Sequence, residues 1–178
     1  MSSIYTIGHS TRELADFSRV LQGHQIRVLV DIRAFPASRR YPHFNRGNLE
    51  LWLPQIGCEY VWEKDLGGRR KQQFPRERSP NLALRNESFR NYADYMLSPP
   101  FEAAIERVEQ LASRANTAIM CAEMVYFRCH RMLVSDYLLS RGHSVLHILD
   151  EKPPREHSLS KDARIVDSRL VYRGDFLL

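Results

Sequence analysis

The chain has 178 residues and 43% hydrophobic residues, enough for one domain with a core of its own. No apolar run approaches the roughly 18 residues a membrane span requires, and the opening residues lack the basic and apolar regions of a secretory signal, so the expectation is a cytoplasmic protein with no membrane partner. Three cysteines, Cys58, Cys121 and Cys129, argue against a disulfide framework, and the net charge of +5 comes from 22 Arg against 4 Lys.

That arginine bias has two readings. Guanidinium groups pair with phosphate or carboxylate in bidentate fashion, which suits an anionic small molecule or nucleic acid. A GC-rich genome produces the same bias with no ligand at all. The absence of C-x-x-C and H-x-x-x-H leaves a structural zinc site little support.

The elements follow in chain order. Ile4–Ile7 is a buried strand ending at Gly8-His9-Ser10, and Ser10 with Glu13 fits a capping box opening a helix to about Gln22. His9 then sits between a strand end and a helix start, as a ligand-facing imidazole or a turn histidine bonded to backbone. Residues 26–32 form the second strand. Asp31 and Arg33 share one of its faces, either flanking a substrate or forming an internal ion pair. Pro36 and Pro42 keep the next loop out of helix, and that loop carries Ser38, Arg39 and Arg40.

Residues 49–56 read as a helix bent near Pro54, and 58–62 as a third strand in which Cys58 is structural. Gly67-Gly68-Arg69-Arg70-Lys71 is a tight turn with a basic cluster, either gripping phosphate or simply solvated; it is not a P-loop. Residues 72–87 are polar and read as a mobile loop or lid. Two helices follow, over 89–96 and 101–114, in which Tyr92 and Tyr95 are core or project into a site.

Ala118–Cys121 is too apolar for an edge and should be a central strand. It leads through Glu123 to a helix beginning near Cys129-His130-Arg131, with Gly142 as its stop. Helix dipole and neighbouring cations favour a Cys129 thiolate, although sequence neighbours on a helix do not face each other. The C-x5-R loop of cysteine phosphatases is absent, because position 135 is Ser. Partial burial would raise the Glu123 pKa and suit it to proton transfer. Residues 144–149 form another strand, and 150–178 a polar extension with a possible edge strand. Strands alternating with helices predict a single α/β domain with a mostly parallel sheet flanked by helices on both faces.

T-I-G-H-S, D-I-R-A-F-P-x-S-R, L-G-G and C-A-E-x5-C-H-R, in that order, resemble the family numbered 488 among domains of unknown function. The resemblance implies a small bacterial or archaeal α/β protein, with His9, Ser10, Asp31, Arg33, Ser38, Arg39, Gly67, Gly68, Cys121, Glu123, Cys129, His130 and Arg131 in its signature. Met124–Phe127 is an unusually apolar insert within the last motif, expected to wall the pocket or contact another subunit.

Three functional readings stand. The first is an enzyme acting on a nucleotide, nucleic acid or other phosphorylated ligand. Glu123, His130 and His9 are its proton-transfer candidates and Cys129 its nucleophile or ligand. Ser10, Asp31, Arg33, Ser38, Arg39, Gly67, Gly68 and Arg131 hold the substrate. The second is a non-catalytic nucleic-acid-binding module. The third is a metal or haem protein with His9, Cys121, Cys129 and His130 as ligands. The sequence names no cofactor and no oligomeric state.

Overall fold

In the computed structural model, which describes residues 1–174, the fold is organised by five parallel strands. They are β1 (Ser3–Gly8), β2 (Val28–Asp31), β3 (Glu59–Trp62), β4 (Thr117–Cys121) and β5 (Ser144–Ile148), and β6 (Arg155–Glu156) adds an antiparallel edge. The order is β3-β2-β4-β1-β5-β6. Every residue of β4 is buried, as its apolar sequence requires of a strand covered on both faces.

Strand alternation sends side chains to two separate cores. Ile7, Leu29, Ala118 and Met120 pack with Phe17, Val20 and Leu21 of α1 (Leu14–Gly23) and Leu49 of α2 (Arg46–Trp52). Ile4, Val28, Val30 and Ile119 pack on the other face with α3 (Glu87–Tyr95), α4 (Pro99–Arg114) and α5 (Arg131–Ser140). Each fully buried Leu, Ile or Phe in these layers contributes roughly 1.5–3 kcal/mol. The sheet is therefore mostly parallel and covered by helices on both faces, as the sequence pattern predicts.

Local details depart from expectation for identifiable reasons. The capping box does not form. α1 begins at Leu14 after Glu13, while Ser10 stays in the preceding turn at φ 49°. Backbone bonds from His9 and Ser10 to the Cys121 and Ala122 carbonyls (3.0 and 2.9 Å) extend the β1–β4 ladder and hold Ser10 there. α4 starts two residues earlier than expected because Pro99 and Pro100 fit a first helical turn. The bend at Pro54 appears as a 3-10 turn over Leu53–Ile56, closed by Gly57 at φ 71°.

The region after β5 holds more structure than a polar extension. β7 (Ala163–Val166) and β8 (Arg169–Tyr172) form their own hairpin, turned by Asp167 and Ser168, both at positive φ. Ala163, Leu170 and Tyr172 dock on the α3–α5 core. Within this region the strand that edges the main sheet is β6, opposite the β3 edge, and the last four residues of the expected extension lie outside the described ones. The segment read as a mobile lid is anchored at its middle, where Ser79 and Asn81 are buried and donate to Asp94 (2.6 and 2.8 Å).

The crossover from β1 leads to β2 on one side. The crossover from β4 passes β1 to reach β5 on the other. Adjacent strands whose connections diverge open a crevice at their carboxyl ends, the usual ligand position in open α/β sheets. Here the two strand ends are Gly8-His9 and Cys121, and Gly8 and Cys121 are register partners.

Candidate functional site

A cleft of about 680 Å³ opens at this switch point, within the range of pockets that hold small ligands. His9 from β1, Arg33 from β2, and Cys121 and Glu123 from β4 reach it, together with Cys129 and His130 at the start of α5. Ser88, Phe89 and Tyr92 face it from the first turns of α3, and Phe35 and Arg69 form part of its rim. A shallower depression beside it adds Ser10, Arg40 and Tyr41.

Close approach of the backbone makes this geometry possible. A Cβ on Gly8 would lie 2.0 Å from the Glu123 carbonyl oxygen, so the turn after β4 crosses directly over this glycine. Gly67 packs against Ala34, and Gly68 against the His130 ring. The glycine pair thus seats other parts of the cleft wall, and Gly68 itself lines the cleft. In the adjoining basic cluster, Arg70 donates to the Gly67 and Lys64 carbonyls (both 2.9 Å) and lies over Tyr95. Arg69 is exposed, its guanidinium 5.7 Å from the centre of the Phe35 ring.

Asp31 and Arg33 take the internal pairing. Asp31 is wholly buried and receives Arg33 Nε at 2.9 Å, Arg33 Nη2 at 2.5 Å and the Tyr60 hydroxyl at 2.7 Å. Burial opposes the Arg33 charge, but the Asp31 bonds outweigh it and raise its pKa. Arg33 Nη2 also donates to the Phe44 carbonyl (2.8 Å), and Nη1 donates to His9 Nε2 (3.2 Å). With Nε2 accepting, His9 Nδ1 donates to the Ser10 carbonyl at 3.0 Å. Burial, reinforced by Arg33, lowers the His9 pKa to about 4, so this imidazole is neutral at physiological pH.

Beside His9 lies the chemistry-bearing cluster. Cys121, Cys129 and His130 are all buried, and one ligand atom from each lies within 4.8 Å of the other two. His130 Nε2 donates to the Ile32 carbonyl (2.9 Å), and Tyr92 packs against the ring at 5.2 Å between centres. The neighbouring Cys129 thiol, supported by His130, pushes the Cys121 pKa down, while Cys121 and burial push that of Cys129 up. Of the two thiols it is Cys121 that is shifted toward the thiolate, and its place at a strand end gave no charged sequence neighbour to reveal it.

Other expected residues fall elsewhere. Arg131 is buried beneath the cleft and does not line it: its backbone N and Nε donate to Cys129 Sγ (3.4 and 3.3 Å), and Nη2 binds the Glu123 and Met124 carbonyls. Arg39 is exposed and lines neither the cleft nor the depression, whereas Arg69 lines the cleft. Ser38 lines the cleft, but its hydroxyl accepts from Tyr41 N at 3.0 Å and orders the loop. Glu123 is exposed at the rim, not partly buried, and accepts from Val125 N at 3.2 Å. Phe35 and Phe89 had no periodic signal to mark them as walls.

The apolar insert covers a second buried polar chain. Tyr126 stacks on His147 at 3.4 Å, while Phe127 is exposed and lines no part of the cleft. Thr6 bonds His147 Nδ1 (2.7 Å), His147 Nε2 bonds His157 Nδ1 (3.0 Å) and His157 Nε2 bonds Asp136 (2.9 Å). Tyr172 closes the chain on Asp136 at 2.9 Å. Burial, with His157 and Arg131 nearby, lowers the His147 pKa to about 3. Among the described residues no helix is long and apolar enough to cross a membrane.

No curated protein and no solved structure matches the chain. A family does match. Residues 13–138, which include Arg33, Gly68, Arg69 and the Cys121–His130 cluster but not His9, fit the family described as Domain of unknown function DUF488, and the chain belongs to that family.

Proposed function

We propose that the cleft is the active site of an enzyme acting on an anionic, planar substrate of the nucleotide class, free or within nucleic acid. The Cys121–Cys129–His130 wall is the reactive centre, Glu123 carries a proton and Arg69 holds the anion. One observation carries this reading: two thiols, an imidazole and a carboxylate converge on an aromatic-lined cleft at the sheet's switch point. Phe35 and Phe89 offer surfaces for a base, and Arg69 is the rim's exposed guanidinium. His9 and Arg33 position one another and complete the lining. A reducing compartment such as the cytoplasm keeps the three cysteines as thiols.

A screen of nucleotides and short nucleic acids for turnover tests this. Loss of a positioned proton carrier costs typically 10²–10⁴-fold. Glu123→Gln is therefore expected to lose about 100-fold or more in kcat, with its melting curve unchanged because Glu123 is exposed. Full activity in Glu123→Gln would sink the assignment.

A non-catalytic nucleic-acid module finds support in the net charge of +5. It leaves the buried thiol cluster without a task. Salt-sensitive binding with no turnover of any substrate would favour it.

A further inference from the structure

We propose that Cys121, Cys129 and His130 form a mononuclear site for Zn²⁺ or another borderline-soft divalent cation, with a fourth coordination position open to the cleft. The functional meaning of this site rests on the active-site reading above; its geometry does not.

Two thiolates and one imidazole, with one position left for water or substrate, are a donor set of catalytic zinc sites. Tetrahedral coordination at ordinary Zn–S and Zn–N lengths puts the sulfurs about 3.8 Å apart and each about 3.6 Å from the nitrogen. The three donor atoms already lie within 4.8 Å of one another, so metal binding draws them in by about 1 Å at most. Cys121 is fixed at the end of a fully buried strand, His130 at the N-cap of α5, and Cys129 immediately before it, between a 3-10 turn and the helix.

The surrounding contacts suit ligation. A metal-binding histidine usually donates its other ring N–H to a carbonyl or carboxylate. His130 Nε2 meets the Ile32 carbonyl at 2.9 Å, which leaves the Nδ1 lone pair for a metal. A Cβ on residue 68 would stand 2.5, 2.8 and 2.9 Å from Nδ1, Cγ and Cε1, that is, over the face of the ring. Glycine there lets the ring sit against the loop while its in-plane lone pair stays open. Cys129 Sγ receives two N–H donors from Arg131, the usual support of a ligating sulfur.

Charge points the same way. Arg131 is 1% exposed, and its side-chain donors go to carbonyls, to Thr6 Oγ1 and to Cys129 Sγ. No carboxylate pairs with it among the described residues. A divalent cation with two thiolates is neutral, so the Arg131 charge remains to favour hydroxide or an anionic substrate at the fourth position. All three ligands line the cleft that also receives Glu123, so a water held there faces the proposed proton carrier.

The test is Co²⁺ titration of the full chain after chelation and reduction, followed by optical absorption and metal analysis. The expected result is one Co²⁺ per chain, with the intense visible bands of tetrahedral cobalt and a thiolate-to-metal charge-transfer band. Cys121→Ser and Cys129→Ser should lose that band. Gly68→Ala, which displaces the His130 ring, should weaken binding roughly 10–100-fold, as disturbed support of a ligand does. Where a serine variant fails to fold, X-ray absorption on the zinc-loaded wild type decides, since two sulfurs and one imidazole are required. Octahedral cobalt spectra without charge transfer, substoichiometric loading, or a Cys121–Cys129 disulfide recovered in place of a metal complex after reduction would each overturn the proposal. Stoichiometric loading without turnover of any nucleotide would uphold the metal site and remove the enzymatic reading.

Discussion

Asp31→Asn isolates the role of the buried pair beneath the cleft. The substitution keeps the side chain's shape and one oxygen acceptor but removes the charge opposite Arg33. Arg33 is 6% exposed, and Asp31 is its sole carboxylate partner among the described residues. Removing one member of a buried ion pair leaves an uncompensated charge and costs about 3–5 kcal/mol. In a domain of 150–250 residues each kcal/mol shifts Tm by about 2–4 °C, so the variant should melt roughly 6–20 °C lower. Urea unfolding at neutral pH, read as a change in midpoint at constant slope, measures the same quantity. Asp31→Asn combined with Arg33→Met should be more stable than Asp31→Asn alone, because the stranded charge is gone. A loss under about 1 kcal/mol in the single variant, or simple additivity in the double, would refute the internal pairing. Arg33 would then belong with the anion-holding groups.

The remaining predictions probe packing and protonation. Gly8→Ala forces a Cβ to within 2.0 Å of the Glu123 carbonyl, and both groups are backbone-fixed. A loss of about 3 kcal/mol is expected from overpacking, checked by thermal melting. Tyr172→Phe removes the hydroxyl that reaches Asp136 at 2.9 Å and should cost about 1–3 kcal/mol, read by urea unfolding. Acid should unfold the protein through its buried imidazoles. His9 and His147 have folded pKa values of about 4 and about 3 against 6.5 when exposed, so the unfolded chain binds more protons in between. Their contribution is full above about pH 6.5 and falls as pH drops. The loss reaches at most roughly 3 kcal/mol per pH unit while both groups are mismatched, and ends near pH 3. Urea midpoints at pH 7, 5.5 and 4.5 should decline, less steeply in His147→Gln; a flat profile would contradict neutral burial.

What could be read from the sequence was set by local periodicity. The apolar runs Ile4–Ile7, Val28–Ile32 and Ala118–Cys121 have no choice but burial in a sheet, and the spacings of Phe17, Val20 and Leu21 mark a helix face. Alternation of these runs yields a parallel sheet covered on both sides. Motifs at strand ends located the cleft, because side chains at carboxyl ends of parallel strands converge whatever the loops do. Individual roles were less legible. Asp31 and Arg33 read equally well as substrate holders or as an ion pair, and only depth beneath the cleft made pairing the arrangement that compensates the charge. The helix start read from the sequence placed Cys129 near a dipole, but could not show that Cys121, eight residues earlier, packs beside it. Arg131 resembled a ligand-binding cation until tertiary packing turned it inward onto carbonyls and sulfur. The C-terminal hairpin was hidden because its burial comes from Tyr172 docking on Asp136, a contact across 36 residues. Strand and helix formation depends on near neighbours, which the sequence displays. Charge state and ligand geometry depend on distance and solvent access between remote residues, which only the folded chain decides.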